Sequence, residues 1–178
     1  MLSFEEVIHR HDKLIYNLAR RLMGNAEDAE DVSQEVAIKI YRNLDKCKGE
    51  EYLPAWISRI THNACMDALR KKKGKQTDSL DNVLDLENGD VSRQIADDAP
   101  SPEELLLQKE VSKQIEEALQ KLSVSYRSLI ILRDVQGHSY DEVAQITGLS
   151  LGTVKSKIFR GRAKLREILL SARLNSLC

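Results

Sequence analysis

One stretch near the end of the chain, residues 139–166, constrains the fold more strongly than any other. Ser139 is followed three residues later by Glu142, which is the spacing of a capping box at the start of a helix. Gly148 lies where a tight turn between two helices requires positive φ. Ser150 can then cap a second helix. The stretch therefore predicts a helix-turn-helix.

The second helix of this motif has two different faces. Its apolar positions follow helical spacing and predict a side packed on the core: Val154, Ile158, Gly161 and Leu165. Another face is polar and basic: Lys155, Ser156, Phe159 and Arg160. A short scaffold helix followed by a basic helix suits the DNA major groove. The alternative is an amphipathic helix that only packs and is solvated. Capping box, turn glycine and basic face together favour DNA binding.

Composition and charge limit the possible partners. The chain has 178 residues, of which 42% are hydrophobic and 31% charged, enough for one average domain or two small ones. The net charge of −1 argues against a protein that simply coats DNA. The charge is segregated, because residues 150–178 hold seven Lys or Arg against one acid, whereas residues 76–104 hold nine acids against one base. Such asymmetry indicates different partners for different segments.

Several functional classes are excluded by what the sequence lacks. No apolar run approaches the roughly 18–20 residues of a membrane span, so no membrane insertion is expected. The mixed charges at the N-terminus are not those of a signal peptide. Cys47, Cys65 and Cys178 are too widely spaced for a zinc site and are interpreted as reduced thiols in the cytoplasm. Since no catalytic or phosphate-binding motif is visible, we expect no enzyme activity, metal, cofactor or small-molecule substrate.

Three helices are predicted before residue 74. The first begins at Ser3 and ends at Gly24, and the second is capped by Asn25. The second helix carries five acids and no base between residues 26 and 36. That side is either a solvated face or a docking surface for a basic partner. A polar loop over residues 45–52 precedes the third helix, which ends in the basic run 70–73. This run is either an ordinary basic helix end or a phosphate contact.

The remaining sequence predicts an acidic linker and a second helical part. Residues 74–101 lack helical periodicity apart from a short turn near residues 80–86, and are interpreted as flexible. Ser101, Pro102 and Glu104 mark the start of a further helix. Its predicted core face consists of Leu105, Leu106, Val111, Ile115, Ala118, Leu119 and Leu122. Another helix over residues 125–135 leads into the helix-turn-helix. The predicted fold is all-α, with two small helical domains, 1–73 and 102–178, joined by the linker 74–101.

Three stretches resemble one family. Residues 25–41, NAEDAEDVSQEVAIKIY, are similar to the segment with which bacterial RNA polymerase sigma factors bind the core enzyme. Residues 55–73, AWISRITHNACMDALRKKK, resemble their promoter-melting segment, and residues 149–162, LSLGTVKSKIFRGR, their recognition helix for the upstream element. Order and length resemble the extracytoplasmic-function (ECF) class of the sigma-70 family. The chain departs from the family in two places. The family often has Leu-Pro where this chain has Leu122-Ser123, and other members commonly have small or polar residues at the position of Pro54.

The resemblance implies three sets of site residues. Core polymerase would be bound by Asp28, Asp31, Gln34 and Glu35. The −10 element would be recognised and melted by Lys46, Lys48, Trp56, Arg59, Asn63, Arg70, Lys71 and Lys72. The −35 element would be contacted by Thr153, Lys155, Ser156, Lys157, Phe159, Arg160, Arg162 and Lys164. Within these sets Asn63 would hold a flipped base, while the apolar position of Trp56 favours a place in the core over base stacking.

The resemblance also implies the partners. These are the β and β′ subunits of core RNA polymerase, promoter DNA and a cognate anti-sigma factor, with a cytoplasmic location at the nucleoid. The acidic linker would run through the basic channel of the polymerase. Two alternatives stay open: a stand-alone helix-turn-helix regulator with residues 1–73 as an effector or dimerisation domain, and an adaptor or anti-regulator that binds a protein through the acidic helix. Binding to core polymerase separates the three.

Overall fold

The computed structural model describes residues 3–75 and 101–175, and there the chain is built from helices without any strand. The helices are α1 (Phe4–Met23), α2 (Ala26–Asn43), α3 (Leu53–Lys75), α4 (Pro102–Lys121), α5 (Val124–Ile130), α6 (Tyr140–Thr147) and α7 (Leu151–Asn175). A π-helical turn, Ile131–Val135, continues α5, and two 3-10 turns lie in the predicted loop before α3. The all-α prediction is confirmed. The predicted linker lies outside the described residues except at its ends.

The helix starts follow the predicted capping chemistry. Ser3, Ser101 and Ser139 each form both hydrogen bonds of a capping box, and the Asn25 side chain accepts from the Asp28 amide. Each cap satisfies amide groups that have no partner within the first turn of a helix. At the other end, Gly148 adopts φ +72° and allows the sharp turn between α6 and α7.

The first domain is a three-helix bundle of α1, α2 and α3. Its fully buried apolar side chains come from all three helices: Val7, Leu18, Leu22, Val36, Ile40 and Ile57. Helix α3 continues to Lys75, two residues beyond the predicted end of this domain, with Gly74 inside the helix.

In the second domain α7 packs against α4, α5 and α6, and the C-terminal end of α4 is buried at Ala118 and Leu119. Val154 and Ile158 on α7 are buried, as predicted for this face, and lie in the same core as Leu119, Leu129 and Val143. Gly161 on α7 is also buried, and a Cβ atom there would lie 3.3 Å from the Ile130 side chain. The glycine therefore allows α7 to lie close against α5.

The predicted core face of α4 is wrong over its N-terminal half. Leu105, Leu106, Val111 and Ile115 are exposed, and only Ala118, Leu119 and Leu122 are buried. The physical reason is length, because a 20-residue helix extends about 30 Å and exceeds the width of so small a domain. The projecting turns leave an open groove of about 760 Å³ between α4 and α7, lined by Leu107, Val111, Leu165, Leu169 and Leu170 among others.

The two domains contact each other directly, and no feature of the sequence predicts this contact. Arg21 at the end of α1 pairs with Glu116 on α4, with 2.6 Å between Nε and Oε1. Ser58 on α3 lies 2.9 Å from Nε2 of His138, which precedes α6. Buried apolar side chains of the two domains form one continuous cluster.

Two further features concern membranes and metals. Within residues 3–75 and 101–175, no helix combines the length and apolar character needed to cross a bilayer. The same residues contain no group of three or more His, Cys, Asp or Glu side chains placed to hold a metal ion.

Buried histidine makes stability sensitive to acid. Burial lowers the pKa of His62, whose Nδ1 is buried and has no hydrogen-bond partner. The neutral ring thus contributes stability that is complete above pH about 6.5 and is lost as the pH falls below this value. We expect His62→Gln to lose less free energy of unfolding than the wild type between pH 7.5 and 5.5 in urea denaturation. Equal losses in both proteins would contradict this role of His62.

Candidate functional surfaces

The acidic face of α2 comprises Asp31, Gln34 and Glu35, which are all exposed. Glu35 pairs with Lys39 across one turn, with 2.6 Å between Oε1 and Nζ, so one of the acids is partly neutralised within the helix. Two apolar side chains that the sequence argument missed continue this face: Ile38 is 52% and Tyr41 69% exposed. The sequence could have indicated them, because Ile38 and Tyr41 follow Gln34 at helical spacing and so lie on the same face of α2. The surface can therefore offer charge and apolar area together to a partner.

Asp28 has a different environment from the other acidic residues. Its carboxylate accepts hydrogen bonds from Asn25 and from Lys72 at the end of α3, and its side chain is only 18% exposed. Burial raises its pKa, but the two hydrogen bonds outweigh burial and hold the pKa below its usual value. Asp28 and Lys72, predicted to contact polymerase and DNA respectively, are thus paired with each other and join α2 to α3.

The predicted −10 residues on α3 form one exposed stripe. Arg59, Asn63 and Arg70 are exposed and separated by helical spacing, with Asp67 between the last two. Asp67 accepts from Arg70 at 3.2 Å, which orients that guanidinium along the stripe. Lys71 is exposed near the same end. The structure brings an amide that can both donate and accept into line with cations suited to phosphate.

The other predicted −10 residues lie around the start of α3. Lys46 and Lys48 are exposed in the loop before the helix, and Lys46 donates to the Asn43 side chain at 2.7 Å. Trp56 is half-buried and packs against the apolar core. Cys65 is buried one turn beyond Thr61, and burial raises the pKa of its thiol to about 12, so it stays protonated and unreactive.

The recognition face of α7 comprises Lys155, Ser156, Phe159 and Arg160, and all four side chains are exposed. Phe159 is 77% exposed, the largest value among the exposed large hydrophobic side chains described. Core packing therefore does not explain an aromatic residue at this position. The Lys155 ammonium lies 5.9 Å from the centre of the Tyr140 ring, which links the recognition face to the first turn of α6.

Four other residues predicted to contact the −35 element are engaged within the domain. Thr153 hydrogen-bonds Ser150 at the helix start, and Lys157 donates to Ser125 on α5 at 2.9 Å. Lys164 lies over the Tyr126 ring at 5.3 Å. Arg162 makes two hydrogen bonds to Asp134, at 2.9 and 2.5 Å, which raise its pKa. The contacts of Lys157, Lys164 and Arg162 join α7 to α5 and to the π-helical turn that follows it.

Comparison with known proteins agrees with this geometry. The family model for Sigma-70 region 2 matches residues 7–75, and the model for Sigma-70 region 4 matches residues 112–165. The ECF RNA polymerase sigma factor SigW of Bacillus subtilis is 33% identical over 165 residues, which cover 93% of this chain and 88% of that protein. The chain belongs to the ECF sigma factors of the sigma-70 family. It is accordingly an initiation factor that directs RNA polymerase to specific promoters.

This sigma factor is also similar to a second relative and to a solved structure. SigE of Mycolicibacterium smegmatis is 34% identical over 95% of the chain, although the chain spans only 62% of that protein. Among solved structures, the sigma factor RpoE of Bartonella quintana, in complex with the anti-sigma factor NepR, has a TM-score of 0.75 and 25% sequence identity. The match covers 93% of this chain and 96% of RpoE.

Two neighbouring residues of α7 in this sigma factor allow a role in folding to be distinguished from a role in recognition. Ile158 is 1% exposed in the core, whereas Phe159 points into solvent. We expect Ile158→Ala to lower the free energy of unfolding by about 2–5 kcal/mol, because it leaves a cavity. Phe159→Ala should change it by less than about 0.5 kcal/mol. Chemical denaturation of both variants checks this, and a large loss for Phe159→Ala would show that the ring is structural.

Proposed function

We propose that this sigma factor binds the clamp helices of core RNA polymerase through the acidic face of α2. The proposal is supported by the exposure of Asp31, Gln34 and Glu35 and by the apolar continuation at Ile38 and Tyr41. Charged groups at the rim of such a contact set register and association rate, while the apolar centre supplies desolvated area. Asp28 contributes by holding Lys72 and the end of α3 rather than by direct contact.

The recognition face of α7 would enter the major groove at the −35 element. Arg160 and Lys155 can pair with guanine, and Phe159 can contact a thymine methyl group. Thr153, Lys157, Arg162 and Lys164 orient the helix through their contacts inside the domain, and their exposed parts face phosphates. The observation that carries this assignment is the exposure of Phe159 within an otherwise polar, basic face.

The stripe on α3 would hold the melted −10 element. A base leaves the stack only if a pocket or surface replaces its lost contacts. Asn63 can donate to and accept from a base edge, while Arg59, Arg70 and Lys71 hold the adjoining phosphates. Lys46 and Lys48 would approach the same strand from the loop before α3.

An anti-sigma factor is proposed as the inhibitory partner, since RpoE of Bartonella quintana forms a complex with one. The exposed apolar turns of α4 and the groove they form with α7 provide a surface for such a protein. The β subunit of core polymerase would bind the second domain, while β′ would bind α2. The protein would act in the cytoplasm, at the nucleoid, and would carry out no chemical step itself.

Transcription with purified core enzyme tests the proposed function directly. We expect run-off transcripts from a subset of genomic fragments when this protein is added to core polymerase, and none from core alone. A stand-alone regulator would bind its operator without core and would leave the choice of promoter unchanged. That result would overturn the proposal.

Reversing the charge of the acidic face should abolish assembly with core polymerase. We expect Asp31→Lys together with Glu35→Lys to weaken binding at least tenfold, because the surface would then repel a basic partner. A matched control reverses Glu5 and Asp12, two exposed acids on α1. Binding can be measured by titration of labelled protein with core enzyme. Equal affinities for the two double variants would refute the assignment of this face.

Removing Arg160 should separate base reading from phosphate contact. If Arg160 pairs with a base, Arg160→Ala costs holoenzyme about 1–3 kcal/mol on its own promoter and relaxes preference at one position. The measurement is a competition assay over a promoter library randomised in the −35 element. A uniform loss across all sequences would instead make Arg160 a phosphate contact.

A further inference from the structure

Three cationic side chains of the second domain meet the side chain of Tyr140, the first residue of α6. The Arg133 guanidinium lies 4.7 Å from the centre of the ring, and the Lys155 ammonium lies 5.9 Å from it. The pKa of Arg162 is raised chiefly by its hydrogen bonds to Asp134, and the Tyr140 hydroxyl adds to this shift, so the hydroxyl lies near that guanidinium. A cation within about 6 Å of an aromatic ring is attracted to its face.

Two of the three cations have other partners and hold the ring in place. Nη1 of Arg133 donates to the His138 carbonyl at 2.8 Å, and Arg162 makes its two hydrogen bonds to Asp134. Arg133 and Asp134 are consecutive residues of the π-helical turn, so this one turn acts on both the ring and the hydroxyl of Tyr140. The ring is also half-buried and packs against the apolar core. Its position is therefore set by the fold of the domain.

Lys155 differs from the two arginines in having no partner of this kind elsewhere. Its side chain is exposed, and within residues 3–75 and 101–175 its one side-chain contact is with the Tyr140 ring. A free lysine side chain samples many rotamers, and ordering it on binding weakens the complex. The contact with a ring that is already fixed removes part of this cost before DNA is present.

The direction of the Lys155 side chain matters because of its place on α7. Lys155 lies near the start of this helix, which begins at Leu151, and the N-terminal residues of a recognition helix reach the base edges. A lysine reads guanine by donating to O6 and N7. Since an ammonium has three N–H groups, it can make this contact while one side stays against the ring. A mobile ammonium would also reach phosphates, which carry no sequence information.

We propose that Tyr140 is a positioning residue for recognition of the −35 element, and that its ring directs the Lys155 ammonium towards one base pair. Tyr140 acts through Lys155 and not by touching a base. This inference deepens the proposed function and rests on it, because it requires Lys155 to read a base. It adds a determinant of promoter specificity on α6, outside the set of α7 residues that the family resemblance implies.

A double-mutant cycle in the holoenzyme tests this role. Wild type, Tyr140→Leu, Lys155→Ala and the double variant bind a promoter library randomised in the −35 element, in competition. We expect Lys155→Ala to abolish the preference at one position. Tyr140→Leu should weaken the preference at that same position about two- to fivefold, the fold-change of a cation–π contact at an exposed site. The double variant should lose no more than Lys155→Ala, because the two side chains act as one unit.

Two control variants separate the ring contact from packing. Tyr140→Phe keeps the ring and should retain the wild-type preference within about twofold. Tyr126→Leu removes another half-buried ring of the same domain, which lies 5.3 Å from the Lys164 ammonium, and should leave the preference at the position read by Lys155 unchanged. Urea denaturation shows whether each variant is folded. Tyr140→Met, which also lacks a ring, replaces Tyr140→Leu if that variant does not fold.

Several results would overturn the inference. An equal loss at all positions in Tyr140→Leu would make the ring a structural group or a phosphate contact. A further loss in the double variant would show that Tyr140 acts independently of Lys155. A loss in Tyr140→Phe as large as that in Tyr140→Leu would assign the effect to the hydroxyl, and a loss at the same position in Tyr126→Leu would assign it to packing.

Lys155→Ala distinguishes failure of the inference from failure of the proposed function. If this variant loses binding equally at all positions, Lys155 does not read a base, and the positioning role of Tyr140 fails with that assignment. If Lys155→Ala loses the preference at one position while Tyr140→Leu keeps it, base reading by Lys155 stands and the role of Tyr140 alone is rejected.

Discussion

The hydrogen-bonding requirement of helix ends is the constraint on which this structure depends. Every described helix leaves its first amides and its last carbonyls without partners inside itself. Side-chain caps satisfy the amides at the starts of α1, α2, α4 and α6. At the end of α1 the Arg21 and Leu22 carbonyls accept hydrogen bonds from side chains of the second domain. The unpaired carbonyls at the end of α1 are thus part of the contact between the two domains.

The same chemistry explains how α7 is held for recognition. Gly161 brings it against α5, and Arg162 is fixed by Asp134 in the π-helical turn. The basic residues of α7 therefore divide into those that hold the helix and those that face solvent. Phe159 and Arg160 belong to the second group. A rigid helix with a small exposed face suits sequence reading, because base contacts need fixed geometry.

Much of the fold could be predicted because its signals are local. Capping boxes, turn glycines and helical periodicity act over three to eight residues, so the helix starts at Ser3, Ser101 and Ser139 were readable. The exposure of the N-terminal half of α4 could not be predicted, because periodicity indicates an apolar face but not whether another helix covers it. Leu105 and Leu106 have the spacing of core residues and nonetheless face solvent.

The types of residue on the candidate surfaces could be predicted from the sequence, but the ion pairs and hydrogen bonds between them could not. Residue type and family resemblance placed acids on α2 and cations on α3 and α7. That Asp28 pairs with Lys72, and Arg162 with Asp134, depends on distances between helices that sequence spacing does not encode. Ser58 and His138 were missed for the same reason, since 80 residues separate them along the chain.

We propose that one chain binds the upstream element with α7 and opens the duplex with α3. Permanganate footprinting of holoenzyme on a promoter selected by this sigma factor tests it most directly, with wild type and Asn63→Ala compared. We expect reactive thymines at the −10 element with the wild type, and few with Asn63→Ala although protection of the −35 element persists. Equal reactivity in both proteins would contradict the assignment of melting to the α3 stripe.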